Sequence, residues 1–415
     1  VIEMTETTAT IEPNKVYVWG MVESLDITLG TSTDESDFFA FRFRCSKPTM
    51  TVVTINGATW ADDTELDTQG KPVLDLGSWY QCEIKGGTSA LYARLAHYIP
   101  FADSNVEAVL LSKGIGDGLG ITYKDAAIVK SISTWFKNNT NITSFNELQY
   151  FTGIPKLYDS TFANCSNLTS VILPKGVYIE QSCFTGTGLI TIENTETIRN
   201  TILHAATFKN CKSLQSIYLP ETITSFETSC FEKCNKLTQI TFPRDLQFIR
   251  DYAFADCKSL ITDVILLNIK SIGIYAFSSC ESITYLKFGS ALSKIYQYSF
   301  SGCKNLKIVD GFENTVITDT SWNTFYGCSS LQSIQLPESL TTIGGSAFYG
   351  CTSLQSIQLP ESLTTIGSSA FNGCTSLVVI TLPASLTNIY RQAFSGCSSL
   401  QYIRIEATIP PTLAS

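Results

Sequence analysis

A unit of about 23 residues repeats eleven times between Thr161 and the C-terminus, and it constrains the fold more than any other feature. Its clearest copies read AFYGCTSLQSIQLPESLTTIGSS and AFNGCTSLVVITLPASLTNIYRQ. A fixed period of this length indicates a solenoid, in which each unit forms one coil and buries its apolar face against its neighbours. Every copy carries a landmark phenylalanine, and these residues are Phe162, Phe184, Phe208, Phe231, Phe254, Phe277, Phe300, Phe325, Phe348, Phe371 and Phe394.

The spacing inside the unit predicts how each coil is built. Counting from the landmark Phe, a Leu or Ile stands at position +6 in ten copies, and apolar residues at +9 and +11 predict a short strand with an inward face. Proline at +12 ends that strand in six copies. A second apolar pair, such as Leu340 and Ile343, turns the coil back toward the next Phe. The copies that begin at Phe184 and Phe300 are irregular in length, and we expect local irregularity there.

Ten of the 14 cysteines stand at position +3, which gives each of them the same buried place in its coil. A thiol there can fill a tight turn and donate a weak hydrogen bond to a neighbouring carbonyl. Stacked equivalents point the same way, which disfavours disulfides, and no C-x-x-C cluster predicts a metal site. The ten residues are Cys165, Cys211, Cys234, Cys257, Cys280, Cys303, Cys328, Cys351, Cys374 and Cys397.

The first hundred residues alternate apolar and polar side chains, which is typical of half-buried strands. Cys45 and Cys82 lie on these predicted strands, and they either form a disulfide or remain two buried thiols. We therefore expect a β-sandwich-like domain over residues 1–101. Its predicted antiparallel strands are Lys15–Leu29, Phe39–Cys45, Thr51–Ile55, Trp79–Ile84 and Ala90–Leu95.

Residues 102–153 change character and predict a small helical cap. Val106–Lys113 and Lys124–Asn139 have helical spacing, and the end of a solenoid needs a cap because it exposes an apolar edge. Phe145–Ile154 then forms a degenerate first coil. The expected fold class is mainly β, with the sandwich-like domain and the cap followed by a solenoid of about eleven coils over residues 154–415.

Composition argues against several functional classes. The net charge of −9, without a basic run, argues against nucleic acid as a partner. His97 and His204 are the two histidines, and no nucleophile or phosphate-binding motif accompanies them. No apolar run approaches the roughly 20 residues of a membrane-spanning helix. We expect a protein that is not an enzyme, without catalytic, cofactor-binding or metal-binding residues and without a membrane span in this chain.

The motif AF-x-x-C-x-x-L-x-x-I-x-L-P-x-x-L-x-x-I resembles the BspA-type leucine-rich repeat, also called the Treponema pallidum type, over more than half of the chain. The resemblance implies a right-handed, curved leucine-rich-repeat solenoid in a secreted or cell-surface adhesion protein of Bacteroides-like bacteria. YVWGMVESLDITLG and FNELQYFTGI are similar to segments that precede such repeats in Bacteroides proteins. EATIPPTLAS resembles the closing motif of these arrays, beyond which related chains usually continue. The start at Val1 fits either a processed export signal or a trimmed chain.

The capping segment of such relatives often holds a calcium loop, and the matching stretch here is GIGDGLGITYKDA. Only Asp117 and Asp125 remain acidic in it. A calcium loop needs several carboxylates at alternating positions. We therefore expect a plain glycine-rich turn instead of a calcium site.

The side chains at +8 and +10, which flank the inward +9 position, form the candidate partner-binding surface. Tyr and Arg are favoured at interface hot spots, and Gln and Thr suit a polar contact. The leading hypothesis is binding of a host or neighbouring-cell surface protein, with specificity in the varied coils from Phe208 to Phe300. The identical segments Ser330–Gly344 and Ser353–Gly367 are expected to add length only. The candidate residues are Tyr218, Gln239, Thr241, Tyr285, Lys287, Gln335, Gln358, Tyr402 and Arg404.

The alternative is a glycan-binding surface protein that uses the N-terminal sandwich as its carbohydrate module. Trp19, Trp60 and Trp79 are the residues that could stack on a sugar there. Aromatic residues on half-buried strands also serve as core residues. We favour the core interpretation for these three tryptophans.

Overall fold

The computed structural model of the chain is mainly β, and contact density divides it into two compact units. The N-terminal unit comprises Val1–Val129 and Tyr150–Gly153, and the solenoid unit comprises Lys130–Gln149 and Ile154–Ser415. Within the described residues, no helix is long and apolar enough to cross a membrane. The structure describes residues 2–6, 8–22, 24–29, 38–45, 52–56, 58–60, 79–86, 91–117, 120–260, 263–406 and 411–414.

The N-terminal unit contains nine described strands in two sheets. One sheet has the order β1-β3-β5-β8-β9-β7 and the other the order β2-β4-β6. The predicted strand Lys15–Leu29 is therefore two strands that belong to different sheets. The strands are β1 Ile2–Met4, β2 Thr8–Ile11, β3 Val16–Val22, β4 Ser24–Leu29, β5 Phe38–Cys45, β6 Val52–Asn56, β7 Thr59–Trp60, β8 Trp79–Gly86 and β9 Leu91–Tyr98.

The prediction of antiparallel pairing is wrong for most of this unit. The pairs β5-β8 and β8-β9 are antiparallel, whereas β1-β3, β3-β5, β7-β9, β2-β4 and β4-β6 are parallel. From β1 to β6 the chain alternates between the two sheets, so β3 and β5 run in the same direction after an excursion through β4. Alternating burial shows which face of a strand is inside, but it carries no information about the direction of the neighbouring strand.

Both sheets contribute to one apolar core, as the sequence predicts for a sandwich-like unit. Phe39, Phe41 and Phe43 of β5 are buried side by side, and Ile27 of β4 reaches the same cluster from the second sheet. Trp19 of β3 is 1% exposed, and its indole Nε1 donates a hydrogen bond of 2.5 Å to the carbonyl of Glu6. Trp19 is therefore a core residue, which confirms the interpretation that we favoured.

The predicted first helix is confirmed, and the second is much shorter than predicted. Helix α1, Ser104–Ser112, begins at the N-cap residue Asp103. Helix α2, Tyr123–Ile128, begins with a capping box formed by Thr122 and Asp125. It ends at Ile128, so the helical prediction over residues 129–139 is wrong.

Residues after α2 enter the solenoid one coil before the first predicted repeat. Phe136 stacks on Phe162 with a centroid distance of 5.6 Å, and Asn138 has a left-handed backbone with φ of 61°. Ser144–Phe145 then pairs in parallel with Ser170–Val171, which supports the degenerate coil expected at Phe145–Ile154. The start of this coil at Phe136 was assigned to the cap because Asn139 stands where ten of the eleven copies carry cysteine.

Most coils contribute two short parallel strands instead of the single predicted one, and the Phe348 coil has only an isolated bridge at Gln358 in place of the first strand. We name the strands that follow position +6 row A and the strands formed by the second apolar pair row B. Row A consists of Ser144–Phe145, Ser170–Ile172, Thr191–Glu193, Ser216–Ile217, Gln239–Ile240, Val264–Leu266, Tyr285–Phe288, Ile308–Asp310, Ser333–Ile334, Val379–Leu382 and Tyr402–Ile405. Row B consists of Lys156–Leu157, Tyr178–Ile179, Ile202–Leu203, Ser225–Phe226, Phe248–Ile249, Ser271–Ile272, Lys294–Ile295, Thr342–Ile343, Thr365–Ile366, Asn388–Tyr390 and Thr412–Ala414.

The landmark phenylalanines form a continuous stack through the solenoid unit. Neighbouring rings from Phe162 to Phe394 lie 5.1 to 5.7 Å apart at interplanar angles of 1° to 14°. Offset-stacked aromatic pairs of this kind stabilise a core beyond the area they bury. The stack is the apolar spine that the repeat period predicts.

The cysteines form a ladder beside this stack, as predicted. The Sγ of Cys257 donates to the carbonyl of Phe231 at 3.1 Å, and the Sγ of Cys280 donates to the carbonyl of Phe254 at 3.1 Å. All ten +3 cysteines make the equivalent bond to the preceding coil. Each thiol thus finds a buried acceptor and adds a second donor to a carbonyl that already accepts from the +3 amide of its own coil, as Phe231 does from the Cys234 amide.

A left-handed residue stands two positions after each landmark Phe. Gly302, Gly327 and Gly350 hold φ values of 70° to 77° there, and Asn164 and Asn210 hold values near 60°. Glycine and asparagine tolerate this conformation at little cost. The recurring F-x-G-C and F-x-N-C sequences are therefore the turn signal of most coils, and Lys233, Asp256 and Ser279 hold the same backbone conformation in three others.

The irregular copies contain the irregularity that we expected. In the Phe184 copy the row A strand is followed by the 3-10 helix Thr195–Thr197. In the Phe300 copy it is followed by the 3-10 helix Phe312–Asn314. Residues Asn146–Tyr150 of the first coil form a third. In each case the Leu-Pro sequence that ends a regular row A strand is missing.

Candidate functional site

The nine predicted contact residues all lie on or directly beside row A, but they form four groups and not one site. Tyr218 neighbours Gln239 and Thr241, because Ser216 pairs with Gln239. Gln335 and Gln358 are joined by a parallel bridge. The remaining groups are Tyr285 with Lys287 and, at the last described coil, Tyr402 with Arg404.

Two of these groups contain strongly exposed tyrosines. Tyr218 is 57% exposed and Tyr402 is 69% exposed. Arg404 lies 3.9 Å from the carboxylate of Glu406, which is a surface ion pair of small energetic value. Tyr218 and Tyr402 are eight coil steps apart, so a single small partner cannot contact both.

The structure brings Tyr285 and Lys287 together around a residue that we did not single out, Asp310 of the next coil. The Tyr285 hydroxyl donates to Asp310 Oδ2 at 2.9 Å, and Lys287 Nζ lies 3.1 Å from the same oxygen. The parallel register places Lys287 directly beside Asp310. The three side chains form a small polar network on the outer surface of row A.

The electrostatics of this network follow from its hydrogen bonds. The bond from Tyr285, followed by that from Lys287, lowers the pKa of Asp310. The bond to Asp310 raises the pKa of Tyr285 and of Lys287. At neutral pH the network therefore holds an ionised carboxylate, a protonated amine and a neutral phenol.

Exposed aliphatic side chains flank the network on both sides. Ile308 pairs with Tyr285 and is 54% exposed, and Ile265 pairs with Lys287 and is 47% exposed. Most equivalent positions in the other coils carry polar residues, and the exceptions are Ile172, Tyr218, Val379 and Tyr402. We name the surface formed by Ile265, Leu267, Tyr285, Lys287, Ile308 and Asp310 the central patch.

A pocket of about 320 Å³ opens at the edge of the central patch. Its walls include Phe242, Pro243, Ile265 and Leu267, and Arg244 and Asp263 also line it. An apolar pocket with a few charged groups can receive a side chain of a partner. The central patch thus combines an apolar pocket, a polar network and exposed aliphatic side chains.

Ile265, Ile308 and Asp310 of the central patch were not predicted from the sequence, for two different reasons. Ile308 and Asp310 occupy +8 and +10 of the Phe300 copy, which we set aside as irregular. Ile265 was missed because the Phe254 coil is shifted by one residue, so Val264 and not Asp263 faces inward. That shift leaves the length of the copy unchanged, and its mark in the sequence is the charged Asp263 at +9, where the regular copies are apolar.

A row of three tyrosines, also missed, lies two positions before successive landmark phenylalanines. Tyr252 stacks on Tyr275 at 5.1 Å, and Tyr275 stacks on Tyr298 at 4.4 Å. All three have φ between 55° and 60°, which is unfavourable for bulky residues. Ring stacking offsets this backbone cost, and the rings cover one another's faces.

The cysteines and histidines among the described residues are buried or engaged with other residues. Burial raises the pKa of Cys211 and of Cys303 to about 12, so these thiols stay protonated and unreactive. No group of three or more His, Cys, Asp or Glu within the described ranges could hold a metal ion. His204 Nε2 lies 2.5 Å from the Tyr178 hydroxyl, and His97 stacks on Tyr80.

The carboxylates of the supposed calcium loop bond to the protein itself. Asp117 accepts from the Tyr98 hydroxyl at 3.0 Å and from the Gly120 amide at 3.2 Å. Asp125 accepts from the amide and hydroxyl of Thr122 as part of the α2 capping box. Both acidic residues therefore have structural partners.

Some of the predicted residues lie outside the described part of the chain. This applies to the side chains of Cys45, Trp60 and Trp79. Cys82 is buried, opposite Phe41 in the sheet. Two buried thiols at Cys45 and Cys82, with a disulfide as the alternative, stay a prediction, as does the favoured core role of Trp60 and Trp79 over sugar stacking.

Comparison with known proteins gives one family match. The family model described as BspA type leucine rich repeat region matches six copies, over residues 124–202, 179–307 and 318–411, about two thirds of the chain. No curated protein sequence matches the chain.

Solved structures with similar repeats come from several bacteria. A leucine rich cell surface protein from Faecalibacterium prausnitzii is 22% identical, with 71% of this chain and 86% of that chain covered and a TM-score of 0.43. A leucine-rich repeat protein from Bacteroides ovatus is 24% identical, with 63% and 78% covered and a TM-score of 0.34. The Treponema pallidum leucine rich repeat protein is 23% identical, with 46% and 70% covered and a TM-score of 0.28.

Proposed function

The chain belongs to the BspA-type leucine-rich repeat family, and from this premise we propose that it binds another protein through row A of its solenoid. Repeat proteins of this class present long, open surfaces that suit macromolecular partners. The coarse role is therefore protein binding of the adhesion type. The finer proposal is that the central patch is the main contact site.

The single observation that carries the finer proposal is the composition of the central patch. Ile265 and Ile308 expose aliphatic side chains on the outer surface of row A, and Tyr285 of the polar network pairs with Ile308. Exposed apolar side chains around an aromatic residue are typical of interface cores. The network of Tyr285, Lys287 and Asp310 adds polar groups that can exchange partners on binding.

We also propose that the protein acts without catalysis and at or outside the cell surface. The buried, protonated thiols and the engaged aspartates support the first part, because neither is available to a substrate. The described relative from Faecalibacterium prausnitzii, a cell surface protein, supports the second. The partner would then be a surface protein of a host cell or of a neighbouring bacterium.

An array of host extracellular proteins and bacterial surface proteins tests the proposal. We expect the purified full chain to bind at least one of them. The variant that carries Ile265→Ser, Tyr285→Ala and Ile308→Ser should bind the same protein at least about 10-fold more weakly, because truncation at a hot spot costs 2 kcal/mol or more.

The matched control carries Tyr296→Ala and Val316→Ser, two exposed residues outside row A. Both variants should keep the circular dichroism spectrum of the parent chain. Equal binding by the parent chain and by the row A variant would remove the central patch as the contact site.

A further inference from the structure

A second surface, independent of the central patch, is a groove near the end of row B. Its volume is about 480 Å³, and it runs across the coils of Phe325, Phe348, Phe371 and Phe394. The residues three positions before these phenylalanines are Trp322, Gly345, Ser368 and Arg391. The groove thus has an aromatic residue at one end, two small residues in the middle and a cation at the other end.

The glycines of this groove differ in what they do for the fold. A Cβ on Gly344 would lie 2.2 Å from the carbonyl oxygen of Ser321, and a Cβ on Gly367 would lie 2.5 Å from the amide of Gly345. Both positions therefore require glycine. A Cβ on Gly345 would meet its nearest atom, the Ser368 oxygen, at an ordinary 3.4 Å.

Gly345 is therefore not required by the backbone, and the equivalent positions of other coils carry Trp, Ser and Arg. Its effect is to leave open space directly beside the Trp322 ring, whose Cδ2 would lie 4.0 Å from that Cβ. Gly345 and Ser368 directly follow the identical segments Ser330–Gly344 and Ser353–Gly367. They are two small residues that stand in succession between larger ones.

The two ends of the groove carry side chains suited to recognition. Trp322 is 64% exposed, and Tyr390 at the other end is 37% exposed. Arg391 is exposed, and among the described residues its guanidinium has no hydrogen-bond or ion-pair partner. Three coil steps of about 4.8 Å separate Trp322 from Arg391, or about 14 Å.

The rest of the lining is neutral and rich in hydroxyl groups. Asn323, Thr342, Ser346, Thr365 and Ser368 all line the groove, and no Asp or Glu is among its lining residues. The nearby carboxylate of Asp319 accepts a hydrogen bond from the Ser321 amide. A ligand with several hydroxyls and one negative charge matches this lining, because Arg binds carboxylates in a bidentate manner.

We propose that this groove binds a short acidic saccharide. The apolar C–H face of one sugar ring packs on Trp322, and the carboxylate of a second or third sugar pairs with Arg391. A stretch of about 14 Å accommodates two to three sugar rings. The hydroxyl-bearing lining residues and the backbone of the small middle residues form hydrogen bonds with the saccharide.

A protein partner fits this groove less well than a saccharide. The large apolar side chains in its lining that reach solvent are Trp322 and Tyr390, whereas Ile343 is buried. The core of a protein interface is mostly apolar and depleted of isolated charges. The groove instead offers two separate aromatic residues, a polar lining and one unpaired cation.

Isothermal titration of the full chain with 3′-sialyllactose, trigalacturonate and a hyaluronan tetrasaccharide tests the proposal. We expect at least one of these acidic probes to bind, and its neutral counterpart, such as lactose, to bind at least about 10-fold more weakly. Trp322→Ala and Arg391→Gln should each weaken binding about 10-fold or more. Gly345→Gln should also abolish binding, because its side chain fills the groove without a backbone clash.

Tyr402→Ala is the matched control, because it removes an equally exposed aromatic residue from row A and should leave saccharide binding unchanged. Circular dichroism should show that all variants stay folded. No binding of any acidic probe, or binding that survives both Trp322→Ala and Arg391→Gln, would overturn the proposal. Equal binding of an acidic peptide would also overturn it. The result is independent of the central patch, which none of these variants alters.

Discussion

At the scale of single residues, the repeated cysteines recur because one backbone carbonyl recurs. In each coil the carbonyl of the landmark Phe accepts from the +3 amide of its own coil and, in addition, from the thiol of the next coil, as Phe277 does from the Cys280 amide and the Cys303 thiol. The role of these thiols could be predicted from position +3 alone. Residues such as Asp310 could not, because their contacts depend on the register between coils.

Because of the cysteine ladder, we expect the free energy of unfolding of the solenoid to fall at alkaline pH. Burial raises the pKa of Cys303 to about 12, whereas a thiol in the unfolded chain titrates near 8.5. The folded state therefore binds more protons between these values. The stabilisation is complete below about pH 8.5 and is lost as pH rises toward 12.

We predict that Cys303→Ala is less stable than the parent chain at pH 8 but loses less stability between pH 8 and pH 11. Each buried thiol contributes at most about 1.4 kcal/mol per pH unit to this loss. Urea unfolding midpoints at several pH values measure the difference. Parallel curves for the two proteins would show that the Cys303 thiol does not titrate in this way.

At the scale of elements, the sequence predicts the coil as the repeating unit. The strands within a coil depend on pairing with the neighbouring coils. The period and the landmark Phe predict the stacked spine from Phe162 to Phe394. The second strand of each coil was missed because its apolar pair is too short to show strand periodicity. The direction of the N-terminal strands was missed because alternation is the same for parallel and antiparallel neighbours.

The near-identical coils allow a test of the coil as an independent unit. Deletion of residues 345–367 removes one whole coil and joins Gly344 to Ser368, which restores the sequence that follows Gly367 in the parent chain. We predict an unchanged circular dichroism spectrum and a modest decrease in the urea midpoint, because each coil contacts only its neighbours.

A control deletion of residues 345–355 removes about half a coil. It should unfold the C-terminal part of the solenoid, because it shifts every later Phe and Cys out of the stack. Equal stability of the two deletion variants would contradict the coil as the folding unit.

At the scale of the whole molecule, the sequence predicts the solenoid and the sandwich-like unit, and it predicts row A as the variable surface. It did not predict the central patch. The nine residues that we selected by repeat position are spread over four groups, and only Tyr285 and Lys287 belong to the central patch. The predicted residues and the central patch differ because residue type at a repeat position does not show which side chains of neighbouring coils contact one another.

The most direct test of the central claim is a hydrogen–deuterium exchange footprint. It would compare the free full chain with its complex with the protein partner found on the array. We predict slower exchange on binding in the row A segments that include Val264–Leu266, Tyr285–Phe288 and Ile308–Asp310, and little change in row B of the same coils. Protection confined to row B or to the N-terminal unit would contradict the account.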